Sequence, residues 1–184
     1  MEKIKNIFTW NSNSKISLRT LCPVAMLIAL AFVLERVVPA VDTGFMRISF
    51  AFIPMMCVGM LFGPLWGVAA SGVADILGWP IMGMIPIPLI LLARTVNGFL
   101  YGLILHRENI KIWPHAITIA LSTQIIGGAI LTTLGLVQLF ETPFIPLLIT
   151  RLPQFGIFIA LHIAVFPILV KLRYALRKSG LASA

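Results

Sequence analysis

Four arginines stand where arginine is expensive. Arg36, Arg47, Arg94 and Arg151 lie inside or at the ends of long apolar stretches, and an unpaired guanidinium there costs roughly 2.5–3.5 kcal/mol on insertion scales. The guanidinium is a planar, always-charged fork that matches a carboxylate or phosphate through two parallel hydrogen bonds. Four such forks on one side of a membrane make a pocket for an anionic ligand. Asp75 ends a stretch of small residues and is followed by Trp79. A carboxylate at that depth requires a partner or a water-filled cavity, and the indole offers a surface for stacking an aromatic ring. Asn97, Gln124 and Gln154 add amides, which both donate and accept and so can read the edge of a heterocycle.

Each residue also has a plainer reading. Arg36 and Arg47 can snorkel to an interface, and Arg151 can anchor a helix beside a proline-rich turn. Arg94 can be the structural partner of Asp75. The amides can join helices, and Trp79 and Phe45 can belong to an interfacial belt. Catalysis has no such foothold: the chain carries no GxSxG, HExxH, Walker A or CxxC pattern, each of which supplies a definite nucleophile, metal or phosphate cradle. His106, His115 and His162 are scattered, and Cys22 and Cys57 lie in different apolar segments. Neither set has the spacing of a metal site or a disulfide pair. The expectation is a non-enzymatic binder without metal or cofactor.

The elements that hold these residues follow from composition. The chain has 184 residues, 59% hydrophobic, with a mean hydropathy of +1.02. That is far above the globular norm of about half. It predicts a single integral membrane domain in the lipid bilayer, all-α, a bundle of six transmembrane helices. Residues 1–17 read as a cytoplasmic or interfacial segment, 18–178 as the membrane domain and 179–184 as a tail. A signal peptide is disfavoured because the first apolar segment is too long and carries Glu35 and Arg36. The crossings are expected near Leu18–Val38, Ser49–Phe62, Gly67–Gly78, Leu89–Leu105, Pro114–Val137 and Leu147–Val170. Gly63-Pro64-Leu65-Trp66-Gly67 reads as the turn between the second and third. Trp79 to Pro88, with three prolines, reads as an irregular apolar loop that covers a cavity. Gly67, Ala70, Ser71, Ala74 and Gly78 place small residues on one helical face, and Gly98 and Gly102 do the same at GxxxG spacing. Ala25 and Ala29 form a further small pair, whose partner is either another helix of the chain or a separate membrane protein.

The net charge is +8, but its distribution points to membrane anchoring rather than nucleic acid. Lys3, Lys5, Lys15, Arg19, Arg107, Lys111, Lys171, Arg173, Arg177 and Lys178 all fall on one side of a six-crossing topology. That side is cytoplasmic by the positive-inside rule and holds both termini. The four arginines that remain lie in the outer half.

The chain resembles the substrate-binding S components of energy-coupling factor (ECF) vitamin transporters, most closely the folate-specific members. Ala25-Met-Leu-Ile-Ala29, Arg47-Ile-Ser-Phe50, Leu61-Phe-Gly-Pro-Leu-Trp-Gly67, Ala74-Asp-Ile-Leu-Gly78 and Asn97-Gly-Phe-Leu-Tyr-Gly102 carry the resemblance. It departs at Ile85-Pro-Ile-Pro-Leu-Ile90, where folate-type members often have a Pro-Gly-Phe-Thr-like segment. The resemblance implies a multi-pass protein of a bacterial plasma membrane that captures folate, or a related anionic vitamin, at its outer face. It implies docking on a transmembrane T component and two ATPases through Ala25 and Ala29. On that view Arg94 and Arg36 meet the carboxylates of folate, and Asp75 or Asn97 meets the pterin edge. The alternatives are an S component for pantothenate or pyridoxal phosphate, and a membrane adaptor without a ligand.

Overall fold

Gly63 parts two helices, and Pro64 and Pro88 each open one. The computed structural model describes residues 18–36, 48–82, 87–106 and 112–178. Among these residues the chain forms six helices and no strand. They are α1 (Leu18–Arg36), α2 (Phe52–Phe62), α3 (Pro64–Met82), α4 (Pro88–Leu105), α5 (Ile112–Phe140) and α6 (Phe144–Lys178). Residues 1–17 and 179–184, Phe45, Arg47, Arg107 and Lys111 lie outside the described residues. Three helices are long and apolar enough to cross a membrane: α4, α5 and Phe144–Tyr174 of α6. With 11 residues, α2 reaches only about 16 Å, roughly half the hydrocarbon thickness.

The turn after α2 is tighter than the expected five residues. Only Gly63 separates the helices, at φ 93°, a conformation open to glycine, and Pro64 begins α3. A proline there loses no helical hydrogen bond, because the first N–H groups of a helix have no internal partner. The irregular apolar loop is also shorter than expected. α3 continues through Trp79 and Pro80 to Met82, and α4 begins at Pro88 behind an extended Ile87. Residues 83–86 lie outside the described residues. The basic run after Val170, expected as an anchor at the end of the sixth crossing, continues α6, since Lys171 to Lys178 contains no breaker. Within it Arg173 is buried and donates to the Leu105 carbonyl at 2.7 Å. It therefore satisfies one of the orphan carbonyls at the end of α4.

The helices stand in three rows of two. α1 and α3 form one outer row, α2 and α4 the middle, α5 and α6 the other outer row. Among the described residues neither α1 nor α3 packs against α5 or α6. Consecutive helices such as α3 and α4 run in opposite directions: Gly67 of α3 faces Gly98 of α4, and Asp75 faces Arg94. The α3–α4 seam is a backbone contact. A Cβ on Gly98 would run into the Gly67 carbonyl, and one on Gly102 would run into Pro64. Small residues permit this approach where lipid offers no hydrophobic drive. The largest core cluster joins Met56 and Met60 of α2, Tyr101 and Leu105 of α4, Ile119 of α5, and Phe166 and Val170 of α6. It fills the end of the bundle at which α4 terminates and leaves the other end hollow.

Candidate functional site

The hollow end is a cavity of about 350 Å³, inside the range of roughly 300–1,000 Å³ that suits a small organic ligand. Its walls come from the later turns of α1, α3 and α5 and the earlier turns of α2, α4 and α6. Phe52, Met55, Leu139, Phe140, Phe155 and Phe158 give it broad apolar surfaces, and polar groups are set into them at a few points.

On the α1–α3 side Arg94 holds two acids together. Its guanidinium donates to Glu35 of α1 at 3.1 Å and lies 3.8 Å from the Asp75 carboxylate of α3. One α4 side chain thus ties both helices of the outer row, as the structural reading of Arg94 expects, with Glu35 as an added partner. Asn97 comes one turn later. Its amide packs over Gly127, where a Cβ would collide with it, and its Oδ1 is buried with no hydrogen-bond partner among the described residues. A buried acceptor of that kind is costly until something donates to it.

On the α5–α6 side Arg151 is 4% exposed. Its Nε donates to Gln154 Oε1 at 3.2 Å, and Nη1 donates to Thr133 Oγ1 at 2.9 Å and to the Gly128 carbonyl at 3.5 Å. The guanidinium carbon sits 5.4 Å from the Phe155 ring centre. No carboxylate among the described residues pairs with it. The wall opposite is unusual in its backbone: Thr123–Thr132 of α5 is a π-helix, a form that recurs at functional sites. It brings Thr123, Gln124, Gly128 and Thr132 to the cavity. Thr132 and Thr133 bond back to the carbonyls of Gly127 and Gly128.

The floor is aromatic. His162 is buried, stacks on Phe52 with centroids 4.4 Å apart, and meets the Tyr101 hydroxyl at 2.9 Å through Nε2. Its Nδ1 lies 2.7 Å from the Phe158 carbonyl. A carbonyl can only accept, so Nδ1 carries the proton and Nε2 accepts from the tyrosine.

Seven of the residues expected from sequence line this one cavity: Asp75, Trp79, Arg94, Asn97, Gln124, Arg151 and Gln154. Arg36 ends α1, its side chain outside the described set, as is Arg47. Ala25 and Ala29 are exposed on α1, so the small pair faces away from the chain's own helices. Sequence reasoning did not reach Glu35 as the partner of Arg94, nor Phe52, Tyr101, Phe155, Phe158 and His162. A signal for part of this set was present. Arg151, Gln154, Phe155, Phe158 and His162 recur at three- and four-residue steps, which places them on one face of α6.

Four similarities bear on this geometry. The family model of the substrate-specific component of ECF transporters matches residues 19–170. A folate transporter, FolT, of Streptococcus mutans is 30% identical over 149 residues, covering 72% of this chain and 74% of that protein. A FolT of Leuconostoc mesenteroides is 36% identical over 64 residues, 35% of this chain, and the match spans only 34% of that relative's length. The crystal structure of FolT bound with folic acid superposes with a TM-score of 0.74 at 28% identity, covering 83% of this chain and 93% of that one.

Proposed function

The chain belongs to the substrate-specific components of ECF transporters, and we propose that it is the folate-binding subunit of such an importer. In this reading it captures folate from outside a bacterial plasma membrane and passes it inward with a transmembrane T component and two ATPases. The part it plays is binding and delivery. Six crossings put both termini on the cytoplasmic side, with the basic residues flanking the helices holding that side in place. The cavity, built at the end opposite Lys171 and Arg173, then opens outward. The exposed Ala25 and Ala29 of α1 are the surface offered to the T component.

The observation that carries the reading is the gathering of one cavity's polar groups from all three rows of helices. A guanidinium with no carboxylate partner among the described residues, amide side chains and stacked aromatic rings line one cavity of about 350 Å³. Folate has the matching parts: flat rings, a pterin edge of donors and acceptors, and carboxylates. The similarity to FolT proteins over most of the chain supports the same ligand.

The test is calorimetry on the purified protein in detergent, without ATP or partner subunits. Folic acid is expected to bind one to one. No heat with folic acid or reduced folates removes the reading, and heat with pantothenate or pyridoxal phosphate in their place assigns the site to another anionic vitamin.

A further inference from the structure

We propose that Arg151 is the specificity-determining residue of the cavity: it receives the ligand's carboxylate tail, and the rings run along α6 toward His162. The proposal deepens the folate reading and rests on it.

The two cavity guanidiniums differ in what already occupies them. Arg94 faces Glu35 at 3.1 Å and Asp75 at 3.8 Å, so its charge is met from within the protein. Arg151 is nine-tenths buried or more and, among the described residues, meets only neutral acceptors: Gln154 Oε1, Thr133 Oγ1 and the Gly128 carbonyl. Those bonds use Nε and Nη1, and Nη2 has no partner among the described residues. Burying a whole charge against neutral groups is unfavourable unless an opposite charge arrives. Gln154 and Thr133 act as positioning residues, since each holds one nitrogen of the fork. The Phe155 ring backs the fork at 5.4 Å, which fixes its plane by cation–π attraction. A held fork with a spare N–H edge recognises a carboxylate better than it recognises a neutral amide.

The same helical face sets the ligand's direction. Below Arg151 come Gln154, Phe155, Phe158 and His162, all lining the cavity. The face thus grades from cation through amide to aromatic. Arg151 and His162 are eleven residues apart, about 16 Å along the helix. An extended molecule with carboxylates at one end and fused rings at the other fits that gradient in one direction only. Phe52 stacked on His162 closes the ring end, and Asn97 lines the cavity as well.

The test compares folic acid with pteroic acid, which lacks the glutamate tail, on wild type, Arg151→Gln and Arg94→Gln. Wild type is expected to prefer folic acid. Arg151→Gln should narrow that preference by about tenfold or more, the loss of a charge-assisted pair. Arg94→Gln should change both affinities in the same proportion. An unchanged preference in folded Arg151→Gln overturns the proposal, as does a narrowing in Arg94→Gln alone. If Arg151→Gln does not fold, Arg151→Lys and Gln154→Leu carry the test: each should narrow the preference, and a preference unchanged in both overturns the proposal. Wild type that binds both ligands equally overturns this assignment only, whereas wild type that binds no folate removes the folate reading beneath it.

Discussion

Replacing Arg94 by methionine separates a structural arginine from a ligand-binding one. Methionine keeps the length and apolar stem and removes the charge. The Glu35 carboxylate then loses a donor at 3.1 Å and Asp75 loses a cation at 3.8 Å. Breaking a fully buried ion pair by deleting one partner costs about 3–5 kcal/mol. The Arg94 side chain is 43% exposed, so solvent screening reduces that to about 1–3 kcal/mol. For a chain of this size each kcal/mol moves the melting temperature by roughly 2–4 °C, giving a fall of about 2–12 °C. The assay is a thermal shift of the ligand-free protein in detergent, with Arg151→Met as the comparison. Arg151 has no carboxylate partner among the described residues: its replacement loses the hydrogen bonds to Gln154, Thr133 and Gly128 and also removes a buried cation that no acid opposes, so the two effects offset and the melting temperature is expected to move by less than about 2 °C. The reasoning fails if the two variants behave alike, or if Arg151→Met is the less stable of the two.

Three further outcomes follow from particular contacts. Gly98→Ala drives a methyl into the Gly67 carbonyl and the Ser71 hydroxyl and should lower stability by about 1–3 kcal/mol, read as a thermal shift; a silent substitution would mean that the seam is looser than described. Arg173→Ala removes the donor to the Leu105 carbonyl and should lower stability by about 1.5–3 kcal/mol while calorimetry shows folate affinity unchanged, since the contact lies at the end remote from the cavity. Leucine at both Ala25 and Ala29 should abolish ATP-driven uptake in vesicles carrying the complete transporter and leave folate binding by the isolated subunit intact. Loss of both activities would mean that this face of α1 packs within the chain.

The sequence was most informative where a residue type carries a fixed cost. Arg94, Arg151 and Asp75 could be singled out because a charge in an apolar stretch demands a reason, and the structure brings all three to one cavity. The α3–α4 seam was visible as small residues at helical spacing. Partnership was not visible. Glu35 and Arg94 are 59 positions apart, and no local pattern joins them. His162 looked isolated because its companions, Phe52 and Tyr101, come from other helices. The π-helical turns of α5 leave no mark in composition, since Gln124, Gly127 and Gly128 suit an ordinary helix as well. Pro80 misled for a physical reason: a proline inside a helix forfeits one hydrogen bond, and α3 carries that loss near its end, stopping two residues later at Met82.

The zipped backbones of α3 and α4 bear on traffic in and out of the hollow. Two helices locked carbonyl to glycine slide or part only together, like a single plank, so a guest cannot squeeze between them. Among the described residues, Thr123–Thr132 of α5 is wound to a wider gauge, and breathing of the bundle is expected there first. Amide exchange faster along Thr123–Thr132 than along Gly67–Gly78 would mark it as the wall that opens more readily.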